Sequence, residues 1–163
     1  MDYTSQRKVD LQYAQGVVDM LNNSTDKYVV YKESRPIADL KHMLETSVQA
    51  YGDNVAFMQK FHKDEPYKSI TYKEAFETVN ALGTALINAG LKNKRIAVIG
   101  ENCYQWATSY LAVICGTGVV VPLDKELGAS ELGQLIKESQ ASAVMFTEKY
   151  TDIFKEIKEN GAS

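Results

Sequence analysis

Two carboxylates stand where a parallel sheet would place chemistry. Glu101 follows the apolar run "RIAVIG" (95–100), and Asp124 follows "VVVP" (119–122). With Thr147 and Glu148 after "SAVMF", they mark the C-terminal ends of three expected strands, the side on which open α/β sheets hold their ligands. Such carboxylates could ligate a metal or a ribose hydroxyl, and the plainer reading is a pair of solvated caps. Cys103 falls in the first turn of an expected helix, where the dipole lowers a thiol pKa. No histidine neighbours it in sequence, so it reads as a small buried hydrophobe. His42, in a helix's first turn, and His62, in a hairpin loop, lack Cys or His at ligand spacing. Trp106 reads as a core and positioning residue whose indole N–H needs a partner. "GTG" at 116–118 precedes a strand, so it is a tight helix-to-strand turn; neither G-x-G-x-x-G nor G-x-x-x-x-G-K-[ST] occurs. A phosphorylation receiver would need an acidic pair where "AVIGEN" offers only Glu101. No active site is complete, and no catalytic, cofactor-binding or metal-ligating residue is assigned.

The elements that position these residues follow from periodicity. Asp39 can cap a helix with Leu40, Met43, Leu44, Val48 and Tyr51 on one face, ended by Gly52-Asp53. Residues 55–61 and 67–71 read as a hairpin. Thr71 and Glu74 form a capping box for a helix burying Ala75, Phe76, Val79, Leu82, Gly83, Leu86 and Ile87, with Gly90 as its left-handed stop. Residues 95–100 form a strand apolar on both faces. Asn102 and Gln105 then suggest a second capping box, opening a helix with Cys103, Trp106, Ala107, Tyr110, Leu111 and Ile114 inward. A strand (119–122), a helix (131–139, with Leu132, Leu135 and Ile136 inward), a strand (142–147) and a charged helix (151–159) complete the run. Strands alternating with helices at this spacing predict right-handed crossovers and a parallel sheet between helix layers. The expected fold class is therefore α/β, a three-layer parallel-sheet subdomain with a short N-terminal hairpin.

The totals bound the rest. The chain has 163 residues, of which 45% are hydrophobic and 24% charged, with a net charge of −3, which suits one globular domain and provides no basic field for nucleic acid or anionic lipid. Cys103 and Cys115 lie twelve residues apart, about 18 Å along a helix, too far for a disulfide. Reduced thiols and the lack of a basic-then-apolar leader make a cytoplasmic location the expectation. Residues 1–35 are less patterned: 9–21 is a weak helix and "KYVVY" (27–31) a possible short strand, together an N-terminal arm before a domain over 36–163.

The stretch "SITYKEAFETVNALGTALINAGLKNKRIAVIGENCYQWATSYLAVICGTGVVVPLDKELGASELGQLIKESQASAVMF" (69–146) resembles the N-terminal part of the acyl/aryl adenylate-forming, AMP-binding enzymes. Thr71, Tyr72 and Glu74 match the family's Thr-Tyr-x-Glu start, and Arg95 to Ile99 its Arg-Val-Ala-Ile strand. Asn102 and Trp106 match its Asn…Trp pair. Leu111, Ala112, Gly116, Gly118, Val121, Pro122 and Leu123 match its Leu-Ala, glycine and Val-Pro-Leu series, and Glu131, Leu132, Ile136, Ser139 and Ala141 its later helix. The likeness covers roughly 36–147, and Thr117 between the glycines with Lys125 after Asp124 brings the chain nearer to fatty acyl-CoA ligases than to peptide-synthetase modules.

The resemblance implies a reaction of carboxylate and ATP to an acyl-adenylate and pyrophosphate, with capture by a thiol, usually coenzyme A. It therefore implies ATP, Mg2+ and coenzyme A for a parent enzyme acting on a carboxylic, in the fatty acyl-CoA ligases a fatty, acid. The family's Ser/Thr/Gly phosphate loop, aromatic-Gly-x-Thr-Glu segment, ribose-binding Asp and C-terminal-domain Lys have no match in 1–163. The expectation is thus an incomplete fragment of a larger domain, ending before the phosphate loop, inactive alone and partnered by the rest of that domain. Uncovered sheet edges would favour self-association. The alternative is a free-standing α/β binding or interaction module; a dehydrogenase-like nucleotide domain lacks its glycine signature.

Overall fold

The computed structural model describes residues 35–160. The weak helix expected at 9–21 and the strand at 27–31 lie outside the described residues.

Helix α1 (Leu40–Tyr51) starts where Asp39 can accept a hydrogen bond from the His42 N–H, at 2.7 Å. Its inner stripe is narrower than periodicity suggests. Leu44 is buried against Val79 and Ala112, whereas Leu40 and Tyr51 are exposed. Strands β1 (Val55–Gln59) and β2 (Lys68–Thr71) then pair antiparallel, with a bulge between Val55 and Phe57. Thr71 ends β2 and caps α2 (Tyr72–Leu86). Its hydroxyl accepts from the Glu74 N–H at 3.2 Å, and the Glu74 carboxylate accepts from the Thr71 N–H at 2.8 Å, as the capping box requires. Ala75, Val79 and Gly83 are the buried positions of α2; Ile87, expected inward, is exposed because it already belongs to the wide closing turn Ile87–Leu91. Gly90 supplies that turn's left-handed residue, at φ +81°.

Strand β3 (Arg95–Ile99) is central in the parallel sheet, between β4 (Val119–Pro122) and β5 (Ala143–Phe146). Its residues alternate between two helix layers. Ile96 and Val98 pack with Val113, Leu86 and Trp106 on the side of α2 and α3 (Tyr104–Ala112). Ala97 and Ile99 pack with Leu132, Tyr150 and Ile157 on the side of α4 (Ala129–Ser139) and α5 (Thr151–Glu159). The fold is α/β, an antiparallel hairpin followed by a three-stranded parallel sheet between helices.

Helix α3 differs from its expected form at both its start and its inner face. The capping box of Asn102 and Gln105 is not made, because the cap is Cys103, in extended backbone (φ −143°) and with no side-chain cap of its own. Gln59 of β1 takes that role: its Oε1 accepts from the Tyr104 N–H, and its Nε2 donates to Gln105 Oε1 at 2.8 Å. Inward lie Thr108 and Ala112, while Cys103, Trp106, Ala107, Tyr110, Leu111 and Ile114 are half-buried. Thr108 tolerates burial because its hydroxyl donates to the Tyr104 carbonyl at 2.9 Å.

The 116–118 turn is the helix-to-strand connection expected. Gly116 has φ +143°, and a Cβ at Gly118 would lie 2.1 Å from the Lys94 carbonyl oxygen. Thr117, buried between them, donates to the Ala112 carbonyl at 2.8 Å and to the Gly83 carbonyl at 3.4 Å. Helix α4 begins two residues ahead of Glu131, whose carboxylate accepts from the Gly128 N–H at 3.3 Å. Leu132 on it is fully buried, but Leu135, expected inward, is 38% exposed.

The two leucines give a test of that face. Leu132→Ala should destabilise by about 2–5 kcal/mol, and Leu135→Ala by about 0.5 kcal/mol or less, measured by urea unfolding. Equal losses would place the face wrongly.

Candidate functional site

The C-terminal ends of β3 and β5 come together because both strands end beside Gly100. A Cβ there would meet Thr147 Cγ2 at 2.7 Å and Trp106 Cδ1 at 3.4 Å, so the missing side chain is what lets the β5 end close on the β3 end. Across this junction the Thr147 hydroxyl donates to Glu101 Oε2 at 2.6 Å, and Lys149 Nζ lies 3.3 Å from Glu101 Oε1. The Thr147 N–H donates to the Ile99 carbonyl at 3.3 Å. The Thr147 hydroxyl, then Glu101's own backbone N–H, and to a lesser degree Lys149, hold the Glu101 carboxyl below the usual glutamate range; Lys149 is raised in turn by Glu101. The ion pair is open to solvent on both sides, so it adds little to stability.

Beside this junction a groove of ≈ 320 Å³ runs along β5, lined among others by Val98, Trp106, Ser109, Met145 and Phe146. Trp106 also lines a second groove of ≈ 500 Å³ with Met58, Tyr67, Cys103 and Tyr104. It stacks on Tyr110 at a centroid distance of 5.6 Å and packs against the Ile96, Val98 and Val113 core, so it is a half-buried residue at the edge of the core that also walls the groove.

The other expected chemical residues are separate. Asp124 accepts from the Glu126 N–H at 3.0 Å, closing its own turn. The His42 Nδ1 accepts from the Ala38 N–H at 3.2 Å, and the His62 carbonyl from the Glu65 N–H at 3.2 Å within the hairpin connection. Cys103 caps α3 instead of lying in its first turn, and it and Cys115 are both free thiols; burial, first of all, pushes the Cys115 thiol up. Tyr150 is buried, donates to the Lys125 carbonyl at 3.1 Å and has its phenol raised chiefly by that burial. Among the described residues, no group of three or more His, Cys, Asp or Glu side chains could hold a metal ion. No helix among them is long and apolar enough to cross a membrane.

Sequence reasoning found Glu101 and the Thr147 strand end but missed Lys149 and Gln59, each placed by a partner more than 40 residues away. Lys149, two residues beyond an expected strand end, was the one available signal; Gln59 carried none.

A folded-state carboxyl held low stabilises above the ordinary glutamate range, and that contribution is lost as pH falls through the depressed value. Thr147→Val should raise the Glu101 pKa more than Lys149→Met does, read by NMR titration of the Glu101 side-chain carboxyl. The reverse order would make the lysine the dominant influence.

Comparison with known proteins matches residues 44–162 to the family model described as AMP-binding enzyme. Long chain acyl-CoA synthetase 1 of Arabidopsis thaliana is 32% identical over 102 residues, 60% of this chain and 16% of the relative. A polyketide synthase-nonribosomal peptide synthetase, ffsA, of Aspergillus flavipes is 27% identical over 122 residues, 74% of this chain and 3% of that protein. The chain therefore spans a sixth or less of the length of these relatives. Among solved structures, coronafacic acid ligase from Pectobacterium brasiliense superposes with a TM-score of 0.65 at 22% identity, over 74% of this chain and 23% of that one, a likeness of fold. With the strand, glycine turn and Val-Pro-Leu series in the places the fold requires, and the family model matching most of its length, the chain belongs to the AMP-binding enzyme family.

Proposed function

We propose that residues 36–163 form the N-terminal part of the adenylation domain of an ATP-dependent acyl-CoA ligase acting on a long-chain fatty acid, with 1–35 an arm before it. The observation that carries this reading is the family match over residues 44–162. The fatty-acyl assignment draws support from the 32% identity to a long chain acyl-CoA synthetase and from the Thr117 and Lys125 pattern. In this reading a carboxylate and ATP give an acyl-adenylate and pyrophosphate, and the thiol of coenzyme A then takes the acyl group.

The described residues do not fit ATP or Mg2+. Glu101 is engaged by Thr147 and Lys149, Asp124 by its own turn, and the first N–H of α3 by Gln59. No step is therefore assigned to them. The part this chain plays is that of scaffold: a three-layer body whose groove beside Trp106 lies along the C-terminal half of β5. By itself it is proposed to be inactive, and the rest of the adenylation domain to be its partner in a cytoplasmic enzyme.

The test is to read the gene past the codon for Ser163 and assay the protein it encodes. A protein of the relatives' length should release pyrophosphate only with a long-chain fatty acid present, while residues 1–163 alone release none. A stop codon directly after Ser163 would overturn the ligase reading in favour of a free-standing binding module. Release with aryl or amino acids only would overturn the fatty-acyl assignment alone.

A further inference from the structure

Asn160, the residue that follows α5, combines two features needed for a covalent reaction of its own side chain. The first is its neighbour. In "KENGAS" (158–163) it precedes a glycine, whereas Asn54, Asn80, Asn88, Asn93 and Asn102 all precede residues that carry a Cβ. An asparagine condenses with the amide that follows it when that nitrogen can reach the side-chain carbonyl, and a glycine leaves the approach open. The second feature is freedom of the bond that must turn, the Asn160 ψ. Asn160 is exposed and stands just past the helix, with φ −80° and ψ 7°. Its N–H donates to the Glu156 carbonyl at 3.0 Å and closes the last turn, so turning ψ breaks no helical bond among the described residues. Elsewhere the same bond is held. Asn80 lies inside α2, and Asn93 is followed by a Lys94 N–H that donates to the Leu91 carbonyl at 3.1 Å. The Asn54 carbonyl accepts from the Tyr72 N–H at 3.0 Å. Asn160 also borders a groove of ≈ 430 Å³ between α4 and α5, shared with Gln134, Lys137 and Glu156, so water has access to it.

We propose that Asn160 and Gly161 form a site of spontaneous covalent modification, at which the chain deamidates without an enzyme. The Gly161 amide gives its proton to base, and its nitrogen attacks Asn160 Cγ. The N–Cγ bond forms, the Cγ–Nδ2 bond breaks, ammonia leaves, and a cyclic succinimide remains. Water then adds to one of the two ring carbonyls and opens the ring to aspartate or isoaspartate; nothing is oxidised or reduced. Either product places a carboxylate at the negative end of the α5 dipole, one turn from Glu156, and both neighbours disfavour it. Isoaspartate also adds a methylene to the main chain where it leaves the helix. The inference does not rest on the ligase reading.

The test is to hold the purified full chain in mildly alkaline buffer and follow it in time by peptide mapping with mass spectrometry. Asn160 should convert at least tenfold faster than any other described asparagine, and faster still as the pH rises. Anion exchange should resolve an accumulating form with one more negative charge, and an isoaspartyl methyltransferase supplied with S-adenosylmethionine should label it. Gly161→Val should slow the conversion at least tenfold, because a β-branched side chain crowds the attacking nitrogen. Asn160→Gln should abolish the acidic form. Both variants should keep the wild-type circular dichroism spectrum, since neither changes a residue of the core. Equal or faster conversion at another described asparagine overturns the inference. Conversion that Gly161→Val leaves unchanged overturns the succinimide route in favour of direct hydrolysis. A folded chain that stays intact while the same chain in urea converts would show that the helix end protects Asn160, and that also overturns it.

Discussion

Burial of one five-residue strand on both faces is the constraint on which the rest of the structure depends. Ile96, Ala97, Val98 and Ile99 are all 1% exposed or less, and each needs apolar cover on its own side. That demand fixes α2 and α3 on one face and α4 and α5 on the other. It also fixes the connection from β3 through α3 to β4, and from β4 through α4 past β3 to β5, since right-handed crossovers reach opposite faces of the sheet only when the chain reverses direction across it. The same reversal leaves the ends of β3 and β5 side by side, and Glu101 meets Thr147 there.

Close approach at a few small residues lets these elements pack against one another. Gly118 lets the start of β4 lie against Lys94, and Gly83 lets α2 approach the Thr117 turn, with a Cβ contact of 3.3 Å to the threonine hydroxyl had one been present. Thr117 then gives its one hydroxyl proton chiefly to the Ala112 carbonyl, with the Gly83 carbonyl of α2 3.4 Å away. Gly100 does the same service at the opposite end of the sheet. The glycine pair of the resemblance thus has a packing reason at each of its members, a positive φ at Gly116 and lack of space at Gly118.

The hairpin is attached to this body by a polar and an aromatic contact. Gln59 caps α3 and engages Gln105, while Phe57 meets Tyr104 edge-on at 5.2 Å. A two-stranded hairpin is marginal by itself. Its order therefore depends on α2, into which β2 runs directly, as well as on α3, which begins where the hairpin satisfies its first N–H. The two scaffold grooves meet at Trp106 for the same reason: the helix that carries it stands between β1 and β5.

Local signals were enough for much of this. The Thr71–Glu74 box, the Asp39 cap, Gly90, the apolar run of β3 and the glycine turn before "VVVP" each follow from interactions within a few residues, so periodicity and cap chemistry predict them and, through them, the α/β class. The sequence pattern also carried the family, because its matched residues are those the turn and strand geometry require. Tertiary structure alone decided what depends on distant partners. Asn102 and Gln105 have capping-box spacing, yet Gln59 caps α3. Thr108 is buried with its hydroxyl satisfied by its own helix, and Leu135 faces out while Leu132 fills the position against β3. Glu101 was visible from its strand end, but the low carboxyl pKa comes from a hydroxyl 46 residues away in sequence, which no local pattern encodes.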